Sequence, residues 1–455
     1  MTTNSSEHRS DITIIGAGIA GLACAFFARQ RGFSVEILEP SDRPGGVIKS
    51  ECRNGFLLEF GPNTVLPTNE LMDMVEGLDL SSHLLLAHPK IPRYIRMSGQ
   101  LHEVPMSLKA LFKTKLVNFP SVLRLLREPL IPARTSSKEE SLESFALRRL
   151  GRTVYERLLS PYVSGVWAGN PAELSAEGAF PRLVQWEKEY GSLLWGAIKG
   201  RKSEKKTGTK VPKGLMSFKN GLETLPIKLA HSFAGHLHLN SERIDITPPI
   251  GTTSWTISTS QGRFNSTSLI LALPAYDAAS LISSFASQAA TALKAIPYAP
   301  LAAYHCSIEK SALKHDLNGF GYLVAPSEKS EILGCLWNSS LFEGRAPQSH
   351  HLMTVFMGGA SHLDMLKKSD ERLIQSANET LRQHLPLLKD PALISFLRYE
   401  QSIPQYTLGH RERQKKISEM EKTWKGLRCA GNYREGISVG DVVKYSKKVI
   451  ESLSS

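Results

Sequence analysis

The residues of this 455-residue chain best spaced to do chemistry are glycines, not acids, bases or nucleophiles. Asp11-Ile-Thr-Ile-Ile15 runs into Gly16-Ala17-Gly18-Ile19-Ala20-Gly21 and then into a helical stretch, which is GxGxxG spacing in its strand-turn-helix setting. Gly16 permits the tight turn, Gly18 lets backbone approach a pyrophosphate, and Gly21 allows helix and strand to pack closely, with helix N-terminal amides facing the anion. Residues 34–38 read as a second strand ending in Glu39, where a carboxylate can accept hydrogen bonds from a ribose diol. Arg43-Pro44-Gly45-Gly46-Val47 follows at once, ahead of Glu59-Phe60-Gly61-Pro62-Asn63-Thr64. The glycine pair allows close approach to a cofactor, and Arg43 can neutralise pyrophosphate charge or pin the loop. Near the C-terminus, Gly426-Leu-Arg-Cys-Ala-Gly431-Asn432 reads as a strand ending in a glycine turn. Gly436-Ile437-Ser438-Val-Gly440-Asp441 then opens a last helix reaching about Glu451, whose N-terminal amides can face a ring carbonyl or the pyrophosphate.

Other chemistries lack their signatures. The five cysteines are scattered and never in CxxC spacing, which encodes neither a disulfide framework nor a zinc ribbon and points to a reducing compartment. HExxH and HxxxH are absent, and none of the 14 histidines stands at ligand spacing from a cysteine, so no metal is expected.

The elements that position these residues follow from length and patterning. The chain is long enough for about three domains, and its composition, 41% hydrophobic and 22% charged, is that of a folded globular protein. The polar N-terminus lacks a signal-peptide pattern, so a cytoplasmic location is expected. Residues 12–28 form the longest uncharged apolar run, but their three spaced glycines mark strand, turn and helix, not a membrane span. Net charge is +12 and concentrated in two segments. Residues 90–134 carry nine basic and two acidic side chains interleaved with Leu108, Leu111, Phe112, Leu116, Val117, Phe119, Leu123, Leu125 and Leu126. That pattern suits a cationic amphipathic surface at anionic lipid or a solvated helical face over a core. Residues 200–210 read as a mobile basic loop between domains, and no RNP, zinc-finger or helix-turn-helix signature supports nucleic acid.

The segment from Glu39 to Gly46 resembles the second signature of the FAD-containing amine oxidase superfamily, with Val47 where that pattern often carries Arg. Over nearly its full length the chain resembles the protoporphyrinogen IX oxidase family. The resemblance rests on residues 143–151, Pro161-Tyr-Val-Ser-Gly-Val-Trp-Ala-Gly-Asn170, residues 179–183, Gly319-Phe-Gly-Tyr-Leu-Val324, Ile403-Pro-Gln-Tyr-Thr-Leu-Gly-His410 and Gly431-Asn-Tyr-Arg-Glu-Gly436.

The resemblance implies an α/β fold with a discontinuous Rossmann-like FAD domain (1–89, 209–275 and 405–455). It adds a helical membrane-associating insertion (90–208) and an antiparallel-sheet substrate domain (276–404). It implies noncovalent FAD held by residues 16–21, Glu39, Arg43, Gly45, Gly46, Val47, residues 61–64, Gly431, Asn432 and residues 436–438. Cys429 precedes its turn and is not expected to attach flavin. By the same resemblance Arg93 pairs with a substrate propionate, Arg96 being its neighbour in sequence. Phe320, Gly321, Leu323, Leu336 and Phe356 line the cleft, Gly321 letting a macrocycle approach the backbone. The implied reaction removes six electrons from protoporphyrinogen IX in three hydride transfers, with dioxygen as acceptor. No general base is assigned, and His102 and His410 read as structural. Implied partners are the porphyrinogen, dioxygen, the inner membrane face and a ferrochelatase, with a homodimer left open. The rival readings are coproporphyrinogen III oxidation, an amine oxidase or carotenoid desaturase, and a flavin-bearing tetrapyrrole carrier.

Overall fold

The computed structural model describes residues 7–111, 113–206, 211–251, 253–314 and 316–453. Its first sheet grows outward from β1 (Glu7–Ile15), which pairs in parallel with Gly262–Leu271 on one side and with β2 (Val35–Leu38) on the other. Leu237–His238 adds in parallel beyond β2, and Leu427–Cys429 adds in parallel to Gly262–Leu271. Trp255–Thr259 and Asp245–Thr247 extend the sheet antiparallel. Residues 12–15 are all buried because helices cover both faces of the parallel part, which is why this strand reads as continuously apolar. On one face lie α1 (Ile19–Gln30) and the last helix, Val439–Glu451, in one apolar cluster with Ile12, Ile14 and Ile37. Ser446 donates to the Ala20 carbonyl at 3.1 Å between these helices. The N- and C-terminal glycine motifs thereby meet in one domain.

The second sheet runs in the order Ala392–Pro404, Tyr298–Glu309, His350–Gly358, Ile332–Leu336, Gly321–Val324, Tyr94–Met97, Gln100–Glu103. It is antiparallel except where Gly321–Val324 meets Tyr94–Met97. One face, with Tyr322, Cys335, Val355 and Met357, packs under the helix Asp370–His384 in a closed core. Two expected boundaries shift. The hairpin at 94–103 completes this sheet, so the helical part begins at Leu108 and not at 90. Helices Ala275–Ile282 and Ser287–Lys294 pack their alanine-rich faces on the first sheet and belong with it, not with the substrate domain.

The helical part is tied together by a buried ion pair. Arg149, fully buried, pairs with Glu128 and donates to the carbonyls of Ile131 at 2.8 Å and Gly191 at 2.7 Å. Glu128 accepts from Ser192 Oγ at 2.6 Å and the Leu193 N–H at 3.0 Å, which places an anion at the start of the helix Leu193–Lys206. That helix carries the lysine-rich segment as far as Lys206, where the sequence suggested a loop; residues 207–210 lie outside the described residues. The amphipathic segment divides residue by residue. Leu116, Val117 and Val122 are core, with Leu111 and Leu125 packed on them. Phe119, Leu123, Leu126 and Leu130 are exposed, up to 81% for Leu130. Phe112 and the side chain of Leu108 lie outside the described residues. Among the described residues no helix is long and apolar enough to cross a membrane.

Candidate active site

Three glycine-bearing segments converge beyond the C-terminal ends of the parallel strands, where open α/β sheets bind ligands. Gly16 adopts φ +104°, and a Cβ there would stand 2.5 Å from the Ala272 carbonyl oxygen; a Cβ on Gly21 would stand 1.9 Å from that of Gly16. Gly18, by contrast, faces open space, its nearest neighbour for a Cβ being Gly46 Cα at 4.0 Å. The Gly45 N–H donates to the Ala17 carbonyl at 2.9 Å, so the two glycine turns form the walls of one slot. At its rim α1 starts at Ile19 without a side-chain cap, leaving Ile19 and Ala20 in an uncapped first turn. Glu39 orders this slot, accepting from the Ala17 N–H at 2.6 Å through one oxygen and from Ser41 through the other. Arg43 donates to the carbonyls of Gly46 at 2.6 Å and Pro44 at 3.2 Å and faces Glu223 at 3.4 Å. Of its two expected roles, pinning the loop is the one its contacts express.

Residues 61–64 are partly buried beside this slot. A Cβ on Gly61 would stand 2.1 Å from the Val47 carbonyl oxygen, so only glycine lets the two segments cross; the Val47 side chain itself is exposed. Asn63 is held by an amide relay the sequence did not suggest: Asn338 donates to Asn63 at 2.7 Å and Thr354 donates to Asn338 at 2.8 Å. The third segment adjoins this one, since a Cβ on Gly440 would stand 2.9 Å from the Leu66 carbonyl oxygen. Ser438 caps the last helix, accepting from the Asp441 N–H, and Ile437 packs on the helical part. Gly436 (φ +91°) and Gly431 shape the turn between them. Cys429 is fully buried, and burial pushes its thiol up to about 12, which leaves no thiolate for flavin attachment.

The expected cleft walls lie on the second sheet. Leu323, Gly334 and Phe356 stand in register across three strands, as do Gly321, Leu336 and Thr354 one rung along. Leu323, Leu336 and Phe356 are partly exposed on this face, while the residues between them are buried in the core beneath. Gly321 (φ +125°) has a different reason from the one expected: a Cβ would stand 2.1 Å from the Cys335 carbonyl oxygen, so the partner strand, not a ligand, demands glycine. Phe320 continues the edge, with the Arg93 guanidinium 5.5 Å from its ring centroid. Arg96, three residues on, is buried and donates to the carbonyls of His384 at 3.2 Å and Gln383 at 2.9 Å, committed to the opposite side of the sheet. The two arginines that the sequence leaves interchangeable are thus separated by the pleat of one strand.

The two most distinctive sequence blocks are each other's packing partners. Gln405 donates to the Trp167 carbonyl at 2.8 Å, Trp167 meets Tyr406 edge-on at 5.2 Å, and Tyr406 donates to the Asn432 carbonyl at 2.5 Å. A Cβ on Gly165 would stand 2.1 Å from Leu323 Cδ2, so the helix Ser160–Trp167 seats on the cleft wall through a glycine. On the same helix Tyr162 keeps 44% of its surface accessible. Burial of the hydroxyl raises its phenol above the ordinary value, the Arg93 charge opposing this and the Asp441 carboxylate adding to it. His410 stacks on Tyr406 at 4.1 Å, and burial pushes its imidazole down to about 3; His102 contacts the Met97 carbonyl at 3.1 Å. Both are structural.

The open space between Gly18 and Gly46, the uncapped start of α1 and the Glu39 carboxylate beside them are the features that a flavin dinucleotide requires of its binding site. The family model for flavin containing amine oxidoreductases matches residues 19–444. A chloroplastic protoporphyrinogen oxidase of Nicotiana tabacum is 32% identical, covering 98% of this chain and 85% of its own length. The coproporphyrinogen III oxidase of Bacillus subtilis is 25% identical over 98% of both. A crystal structure from Exiguobacterium sp. 255-15, assigned provisionally as a protoporphyrinogen oxidase, superposes with a TM-score of 0.79, 24% identity and 99% coverage of both chains, a likeness that speaks for the fold. The chain is an FAD-dependent oxidoreductase that belongs to the flavin containing amine oxidoreductase family and, within it, to the protoporphyrinogen oxidases.

Proposed function

We propose that the protein oxidises protoporphyrinogen IX to protoporphyrin IX, six hydrogens leaving the macrocycle and three dioxygen molecules becoming three of hydrogen peroxide. The observation that carries this reading is the apolar face of Leu323, Leu336 and Phe356, edged by the Arg93–Phe320 pair and covered by the helix Ser160–Trp167, whose Trp167 meets Tyr406 and through it the Asn432 carbonyl. A flat, greasy wall with one cation at its rim suits a tetrapyrrole with peripheral propionates. FAD, when bound, supplies the two-electron acceptor and the route to dioxygen. It would be held by the Gly16–Gly21 turn, Glu39, the loop pinned by Arg43, residues 61–64 and the Gly431–Ser438 segment. The chain's own part is to fix the macrocycle: Arg93 takes a propionate, the wall residues exclude water, and the Asn63–Asn338–Thr354 relay holds the floor rigid. No general base is invoked, since the exposed wall positions are apolar.

The reading includes a peripheral site at the inner face of the membrane. Exposed Phe119, Leu123, Leu126 and Leu130 stand among exposed Lys113, Lys115 and Arg127, the combination that binds anionic lipid. Transfer of the product to a ferrochelatase belongs to the same reading. The test is aerobic turnover of protoporphyrinogen IX and coproporphyrinogen III side by side, following porphyrin fluorescence and peroxide against autoxidation. A preference for protoporphyrinogen sustains the proposal; a preference for coproporphyrinogen moves the substrate, and turnover of neither by FAD-loaded protein overturns the function.

A further inference from the structure

Next to the slot, where the Glu39 N–H donates to the His238 carbonyl at 2.9 Å, the fold gathers a second set of chemically able side chains. Glu36 projects from β2 and is 7% exposed. Its Oε2 lies 2.6 Å from His238 Nε2 and its Oε1 lies 3.0 Å from His236 Nδ1. His8, from the start of β1, joins them: donor atoms of His8, Glu36 and His238 all lie within 4.8 Å of one another. The rings are held by packing, His8 stacking on Phe264 at 4.6 Å and meeting His238 edge-on at 5.0 Å, with His238 edge-on to Phe264 at 4.8 Å.

We propose that His8, Glu36 and His238 form a binding site for a divalent transition-metal ion of the zinc class. Two imidazoles and one carboxylate are a donor set that such ions take, with a fourth position left to water. A tetrahedral ion at its usual bond lengths sets donors about 3.3 Å apart, so an ion here replaces the 2.6 Å Glu36–His238 hydrogen bond and gathers donors that already lie within 4.8 Å of one another. His236 acts from outside the ligand set. It holds one oxygen of Glu36 and leaves the other for the ion, the role of an outer partner that orients a ligating carboxylate. The His236 side chain is 61% exposed, so the cluster is open to solvent on that side. The three ligands come from β1, β2 and Leu237–His238, so an ion here cross-links three strands of the nucleotide-binding sheet.

The experiment uses tag-free, FAD-loaded protein, stripped with chelator and equilibrated by dialysis against Zn2+, with metal counted by elemental analysis and thermal midpoints read in parallel. One equivalent per chain and a zinc-dependent rise in midpoint are expected. His236→Ala should weaken binding about 10- to 100-fold, His8→Ala and His238→Ala by more, and the remote His362→Ala not at all. FAD content and the chelated-state midpoint report whether each variant is folded. Absence of stoichiometric zinc in the wild-type protein overturns the proposal whatever the variants do, and reduces the cluster to an ion pair. Unchanged zinc binding by both folded His8→Ala and His238→Ala overturns it equally.

Discussion

Arg93→Ala tests the substrate side most directly. The guanidinium rests over the Phe320 ring at 5.5 Å, and no carboxylate pairs with it among the described residues, so its charge is available to a propionate. A hydrogen bond to a charged group contributes about 1.5–3 kcal/mol, or roughly 10- to 150-fold in kcat/KM. Lysine keeps the charge but loses the planar fork, so Arg93→Lys should fall between wild type and Arg93→Ala. Arg96→Ala is the control: it removes bonds to the His384 and Gln383 carbonyls and should lower stability with little effect on the substrate requirement of the folded fraction. The assay is initial-rate porphyrin fluorescence with protoporphyrinogen IX, alongside the visible spectrum of bound FAD. Unchanged kcat/KM in Arg93→Ala with full FAD would refute the assignment, and loss of FAD would show that Arg93 belongs to the cofactor site.

Other expectations follow from the packing and the buried charges. Gly165→Val pushes Leu323 into the cleft, because even a Cβ would lie 2.1 Å from it; turnover should fall while FAD content stays constant, as absorbance and rate together would report. Glu128→Gln and Arg149→Met each strand a buried charge and should cost about 3–5 kcal/mol, whereas the double variant should recover much of that in urea unfolding. Burial holds His305 and His384 at about 4 and His410 at about 3, below the unfolded value of 6.5. The unfolded chain therefore binds more protons below pH 6.5, and stability should fall on acidification toward pH 4 by up to about 1.4 kcal/mol per pH unit for each histidine. Midpoints of unfolding from pH 8 to pH 5 that do not fall would contradict this. Acid precipitation should release all FAD to the supernatant, since the Cys429 thiol is buried and protonated; flavin retained in the pellet would mean a covalent link.

The cofactor half of the site was legible in the sequence because its requirements are local. A tight turn needs Gly16 and a close helix needs Gly21, matters of φ and of a missing Cβ within a few residues of chain, while the slot between Gly18 and Gly46 joins two glycine motifs that are each recognisable from their own spacing. The strands around them declare themselves through unbroken apolar runs, since both faces of a parallel sheet are covered. The wall residues were reachable only through resemblance, because alternating apolar side chains describe any half-buried strand. What the tertiary structure alone decided are choices of face and partner. It assigned Arg93 and Arg96 to opposite sides of one strand and gave Gly321 to its neighbouring strand. It also divided one amphipathic segment into buried Leu116, Val117 and Val122 and exposed Phe119, Leu123 and Leu126. It brought Trp167 against Tyr406 and gathered His8, Glu36 and His238. Pairings of this kind span tens to hundreds of residues, and no local propensity encodes them; they exist only once the sheets have formed and their faces have been covered.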